Sequence, residues 1–125
     1  MNNGFLVALG GGLGAFARYG CMVLFVGVTR QYAFPWVILS VNTVGSLLAG
    51  VAFALAHDRQ WLTVAQQHFL VVGFLGGLTT YSTFSIDTVR LMQAGEWWIA
   101  GSYVVSTTVL CFAATALGIA VVRMT

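Results

Sequence analysis

Four long apolar runs, about Gly4 to Val28, Pro35 to Ala56, Gln66 to Met92 and Trp97 to Val122, take up nearly the whole sequence and leave only short connections. About 20 mostly apolar residues suffice to carry a helix across the hydrocarbon core of a bilayer. Inside that core the backbone must satisfy its own hydrogen bonds, so only helices and closed barrels can cross. The runs lack the alternation of barrel strands. They therefore predict an all-α integral membrane protein of four transmembrane helices, one domain over residues 1–125. Only 6% of the residues are charged and 59% are hydrophobic, against about 25% charged in a soluble domain. Pro35, the only proline, falls where a helix start tolerates it. Trp36, Trp61, Trp97 and Trp98 lie near predicted helix ends, as interfacial tryptophans do. Met1-Asn2-Asn3-Gly4 lacks the basic segment of a secretory signal, so the first run reads as a retained helix. Cys21 and Cys111 lie within apolar runs and read as small buried hydrophobes.

The charges decide less than usual, and that is informative. Arg59 and Arg123 fall on one side of a four-span chain, Arg30 and Arg90 on the other. Orientation normally follows an excess of Lys and Arg on the cytoplasmic side. A two-against-two balance leaves both orientations open and makes an antiparallel, dual-topology homodimer the natural expectation. Arginines this thinly spread make no nucleic-acid footprint.

Polar groups at membrane depth are expensive unless partnered, so they mark function or assembly. In the first span, Gly10 and Gly14 form a close-packing GxxxG pair. Arg18 follows, either as a structural anchor snorkelling toward the first loop or as an attractor of anions. In the second span, Asn42 is either a link between helices or a pore-lining donor, and its spacing fits both. The third span carries Gly76-Gly77-Leu78-Thr79-Thr80-Tyr81-Ser82-Thr83-Phe84-Ser85. Glycine and threonine are mediocre helix formers, and their concentration predicts a break near Gly76 to Thr80. Broken backbone at this depth must be buried in protein or line a cavity. Tyr81, Phe84 and Asp87 then recur at three-residue spacing on one face. Tyr103 and Thr107, an i, i+4 pair in the fourth span, add hydroxyls, with Ser106 and Thr108 alongside.

Such a lane offers neutral donors and aromatic edges. A cation pathway would want acidic rings, and a proton relay would want several Asp, Glu or His in series. Hydroxyls, an amide and positive ring edges suit a small anion instead.

In Gly11-Gly12-Leu13-Gly14-Ala15-Phe16-Ala17-Arg18-Tyr19, Val41-Asn42-Thr43-Val44-Gly45-Ser46 and the third-span stretch above, the sequence resembles the bacterial fluoride channels of the CrcB or Fluc family over essentially its whole length. The resemblance implies an antiparallel homodimer in the bacterial cytoplasmic (inner) membrane. It implies two fluoride pores and a structural, non-transported Na+ held by the backbone carbonyls of Gly76 and Thr79. It places Asn42, Tyr81, Phe84, Ser82, Thr83, Tyr103 and Thr107 along the pore and Asp87 at its end. Tyr81 stands where the family usually has Phe, and Asp87 where it often has Glu. The implied physiology is passive export: fluoride enters as the neutral acid, dissociates in the cytoplasm, and leaves through the channel. The implied partners are fluoride, membrane lipid and a second copy.

A proton-coupled exporter of the small multidrug type is also four-spanning and dual-topology. It needs a membrane carboxylate in the first span, and this first span has none. A non-conducting assembly subunit would have no use for a broken helix. No nucleophile–base pair or metal cluster can be assembled for an enzyme.

Overall fold

The computed structural model describes residues 2–125, and its regular structure there is helical throughout. The Asn2 side chain accepts from the Gly4 N–H at 2.9 Å and so caps α1 (Asn3–Leu24). At about 1.5 Å per residue, its 22 residues already match a bilayer core of about 30 Å. The first apolar run does not stay one helix to Val28. Phe25 leaves helical geometry at ψ 21°, and the short α2 (Val26–Gln31) follows. The second span is α3 (Trp36–His57), preceded by Pro35.

The third span begins earlier than its apolar residues indicate. Thr63 and Gln66 form a reciprocal capping box: Gln66 Oε1 accepts from the Thr63 N–H at 2.9 Å, and Thr63 Oγ1 accepts from the Gln66 N–H at 3.3 Å. This starts α4 (Val64–Gln67), two residues before the apolar run at Gln66. A π-helical segment, His68–Leu75, and a single turn, α5 (Gly76–Leu78), continue it. Thr79 and Thr80 are extended, at φ −79°, ψ 154° and φ −150°, ψ 122°. Helical geometry resumes as α6 (Tyr81–Gln93). A tight turn with Gly95 at φ +81°, a conformation glycine adopts without steric penalty, leads to α7 (Trp97–Met124). Four helical stretches, Asn3–Leu24, Trp36–His57, Val64–Gln93 and Trp97–Met124, are thus long and apolar enough to cross a membrane.

Glycine sets how the spans pair. A Cβ on Gly14 would overlap the Phe74 carbonyl oxygen, one on Gly10 that of Phe69, and one on Gly77 that of Gly11. α1 therefore lies backbone to backbone against the first half of the third span. α3 and α7 meet the same way: a Cβ on Gly50 would overlap the Thr115 carbonyl oxygen, and one on Gly118 that of Leu47. Thr115 Oγ1 adds a bond to the Ser46 carbonyl at 3.2 Å. The two pairs join through Ile38, Leu39, Phe84, Leu91, Ala100 and Tyr103 on one side and Val41, Ala52, Leu75 and Leu78 on the other. At one end Arg123 Nε donates to Asp58 Oδ2 at 2.7 Å, and Arg59 Nη2 donates to the Val122 carbonyl at 2.8 Å. The Arg123 guanidinium holds the Asp58 carboxyl below its ordinary range. The large apolar side chains left on the outside, Phe16, Leu24, Phe53, Val72 and Phe112 among them, suit lipid rather than water. The four tryptophans are all exposed.

Candidate functional site

The extended pair Thr79–Thr80 is the centre around which the polar residues gather. In a continuous helix the Thr80 N–H would bond the Gly76 carbonyl, and the Thr83 N–H the Thr79 carbonyl. Here both donors are diverted. The Thr80 N–H goes to Asn42 Oδ1 at 2.8 Å, and the Thr83 N–H goes to Thr80 Oγ1 at 3.2 Å. Thr80 is thus the N-cap of α6, the position threonine favours because its hydroxyl takes up an orphan amide. Gly76 and Thr79 lose their helical donors, which leaves their carbonyls available to other groups.

Arg18 takes one of them. Its Nη1 donates to the Thr79 carbonyl at 3.0 Å, so the guanidinium points at the third span instead of snorkelling to the first loop. Asn42 is 7% exposed and holds Thr80 at both ends, since its Nδ2 also donates to the Thr80 carbonyl at 3.0 Å. That pairing copies a rung of a β-ladder. It leaves one Nδ2 hydrogen uncommitted.

Beyond the pair, Thr80 Oγ1 contacts Ser82 Oγ at 3.1 Å and donates to Thr83 Oγ1 at 3.2 Å, so three hydroxyls cluster at the start of α6. Tyr81 and Phe84 have ring centroids 5.3 Å apart, yet Tyr81 is 79% exposed while Phe84 is 7% exposed. Phe84 packs on Tyr103 with ring centroids 5.0 Å apart, and Phe34 meets Tyr103 edge-on at 5.5 Å. Asp87, half-buried farther along α6, has no ion-pair partner among the described residues.

Most hydroxyls in the spans are occupied locally. Thr79, Ser85, Thr88, Ser102, Ser106 and Thr108 each donate to the carbonyl four residues back, as such side chains commonly do in helices. Ser106 and Thr108 therefore have their hydroxyl hydrogens committed to their own helix. Tyr103 OH and Thr107 Oγ1 differ: both are buried, and neither has a hydrogen-bond partner. No bond joins them to the Thr80–Ser82–Thr83 cluster among the described residues. Leaving such a group unsatisfied costs about 1–3 kcal/mol, so two of them one helical turn apart call for a ligand.

A cavity of about 780 Å³ runs alongside, lined by Asn42, Gly45, Ser46, Gly76, Thr79, Thr80, Tyr81, Phe84, Thr107 and Thr115 among others. Its wall residues Tyr81, Thr108 and Phe112 are themselves exposed, so it opens outward. Among the described residues no group of three His, Cys, Asp or Glu could hold a metal ion. Of the two carbonyls, that of Gly76 is left open and that of Thr79 keeps only the lone pair that Arg18 does not use. Thr80, which the sequence marks only as the end of the expected break, is the residue on which these bonds converge, and the Thr80-x-x-Thr83 spacing of a hydroxyl N-cap is its signal.

A family model described as "CrcB-like protein, Camphor Resistance (CrcB)" matches residues 5–119. A protein of Saccharophagus degradans named "Fluoride-specific ion channel FluC" is 43% identical over 113 residues, 90% of this chain and 84% of that one. Proteins with the same name from Magnetococcus marinus and Nitrobacter winogradskyi are 43% identical over 119 residues (94% of this chain, 95% of the other) and 44% identical over 118 residues (94% and 93%).

Proposed function

The chain belongs to the CrcB-like family, and from that premise we propose that it is a fluoride-selective channel of the bacterial inner membrane that lets fluoride leave the cytoplasm passively. The observation that carries the reading is the unpartnered pair Tyr103 OH and Thr107 Oγ1, buried beside Phe84 and next to the cavity. A small anion entering a bilayer must replace its hydration. Neutral hydroxyls, the free Asn42 hydrogen and positive ring edges do this without the deep trap that a fixed cation would set. Conduction needs that balance between entry and release. Ser82 and Thr83 extend the hydroxyl surface, Tyr81 flanks the cavity, and Asp87 stands toward the pore end.

In this reading the working unit is an antiparallel homodimer with two pores. The even placement of Arg30 and Arg90 against Arg59 and Arg123 leaves both insertions open. A second copy seated on the outward-opening cavity would complete its wall. The Gly76 and Thr79 carbonyls would hold a structural Na+, the Thr79 oxygen through the lone pair that Arg18 leaves free. Two oxygens from one chain are too few for such an ion, and a second copy doubles them. Replacing all Na+ by N-methylglucamine is expected to lower the thermal unfolding midpoint in detergent and slow fluoride efflux, with both restored by Na+. Equal midpoints with and without Na+ would remove the ion from the account.

The function itself is tested in proteoliposomes loaded with either halide. Fluoride should leave on addition of a potassium ionophore while chloride stays inside. Chloride efflux at a comparable rate would end the claim of selectivity.

A further inference from the structure

We infer that Arg18 is a positioning residue: it fixes the extended Thr79–Thr80 backbone from α1, as Asn42 does from α3, and acts on conduction through that backbone rather than by drawing anions in. The inference rests on the channel reading for its consequence, and on the geometry alone for its mechanism.

Two non-helical residues in mid-span carry four backbone polar groups, and the helix still serves only one of them in the regular way. The Thr79 N–H still reaches the Leu75 carbonyl at 3.0 Å. Asn42 takes both groups of Thr80. The Thr79 carbonyl remains, because the Thr83 amide has turned to Thr80 Oγ1. With neither a donor nor a cation on it, it would be an unsatisfied group at membrane depth. Arg18 Nη1, 61 positions away in sequence, is the donor at 3.0 Å. Each extended residue is thus held by one side chain, from α1 and α3 respectively.

The reach of Arg18 is set by the seam beneath it. Gly14, one turn before Arg18, lies against the backbone of Phe74, and a Cβ there would stand 2.8 Å from the Leu78 nitrogen. That contact fixes α1 against the residues that lead into the extended pair. The only ion pair among the described residues joins Arg123 to Asp58, so no carboxylate draws Arg18 elsewhere. An anion attractor would project its guanidinium into open space. This one is half-buried and turns one of its five donors onto a carbonyl of the extended pair.

The test uses the full chain in liposomes with Arg18→Met, which keeps length but loses donor and charge, and Arg18→Lys, which keeps both. Two readouts are taken: amide hydrogen exchange of the peptide spanning Thr79 to Phe84, and fluoride efflux at low ionic strength and at about 1 M salt, where the Debye length falls to about 3 Å. A hydrogen bond from a charged donor is strong enough that its loss should speed exchange about tenfold or more in Arg18→Met. Efflux should fall by a similar factor at both salt concentrations, and Arg18→Lys should recover most of both. Exchange unchanged in Arg18→Met, or an efflux deficit that vanishes in high salt, overturns the inference in favour of anion attraction. Should Arg18→Met fail to fold, the wild type decides: efflux independent of salt at sub-saturating fluoride supports positioning, and efflux that falls steeply with salt refutes it. Failure of the channel reading would abolish wild-type efflux and leave the exchange result intact.

Discussion

Alanine at position 14 is expected to destabilise the folded chain by about 1–3 kcal/mol, the usual range for added volume where packing is tight. The new methyl would overlap the Phe74 carbonyl oxygen and crowd the Leu78 nitrogen, and neither is the tip of a side chain that can swing aside. α1 would have to withdraw from the third span. That withdrawal also pulls Arg18 off the Thr79 carbonyl, so fluoride efflux should fall together with stability. Gly12→Ala is the control in the same helix, because a Cβ there meets nothing within 4 Å. It should be neutral, or stabilising by up to about 1 kcal/mol from helix propensity. Unfolding of both variants in mixed detergent micelles measures the difference. Equal midpoints for the two would mean that the seam is not the tight contact described.

The spans were legible in the sequence because bilayer thickness and backbone satisfaction leave so few solutions for long apolar runs. Gly10 and Gly14 were legible too, since a GxxxG pair says that a backbone comes close, though not whose. The partner, Gly73 and Gly77 on the third span, was present as a second pair at the same spacing. Gly77, however, also falls in the stretch whose composition predicts a break. Gly76 to Leu78 remain helical, and the extended residues are the two threonines that follow. Gly77 answers to the approach of the Gly11 backbone rather than to a break. Propensity could not separate these causes, because a low helix preference and a need for close approach both select glycine. The bonds from Arg18 to Thr79 and from Asn42 to Thr80 were out of reach for a different reason. They join residues 61 and 38 positions apart, and nothing local encodes them. The π-helical register of His68–Leu75 likewise leaves no pattern in its own residues. The hydroxyls divided only in three dimensions. Ser106 and Thr108 bond their own helix, whereas Tyr103 and Thr107, the same chemistry a residue away, have no partner.

Asn42→Leu should bring the largest loss of conduction of any single change considered, because one side chain serves two buried backbone groups at once. Leucine fills the space but abandons the Thr80 N–H and C=O. At about 1–3 kcal/mol for each unsatisfied group, the held conformation loses on the order of 3 kcal/mol or more, which is roughly a hundredfold in population. Asn42→Asp tests the two ends separately. A carboxylate still accepts from the Thr80 N–H, now at 2.8 Å from Asn42 Oδ1, but it turns a second oxygen toward the Thr80 carbonyl where Nδ2 had donated. It also removes the last Nδ2 hydrogen and sets a negative charge beside the cavity. Both variants are expected to reduce fluoride efflux about a hundredfold or more while the protein still elutes as the wild-type assembly on gel filtration. They part in amide exchange: Thr80 should be exposed in the leucine variant and remain protected in the aspartate one. Efflux within a factor of about three of wild type for Asn42→Leu would show that the ion path does not depend on the extended pair, since the side chain that bonds both backbone groups of Thr80 would then be dispensable.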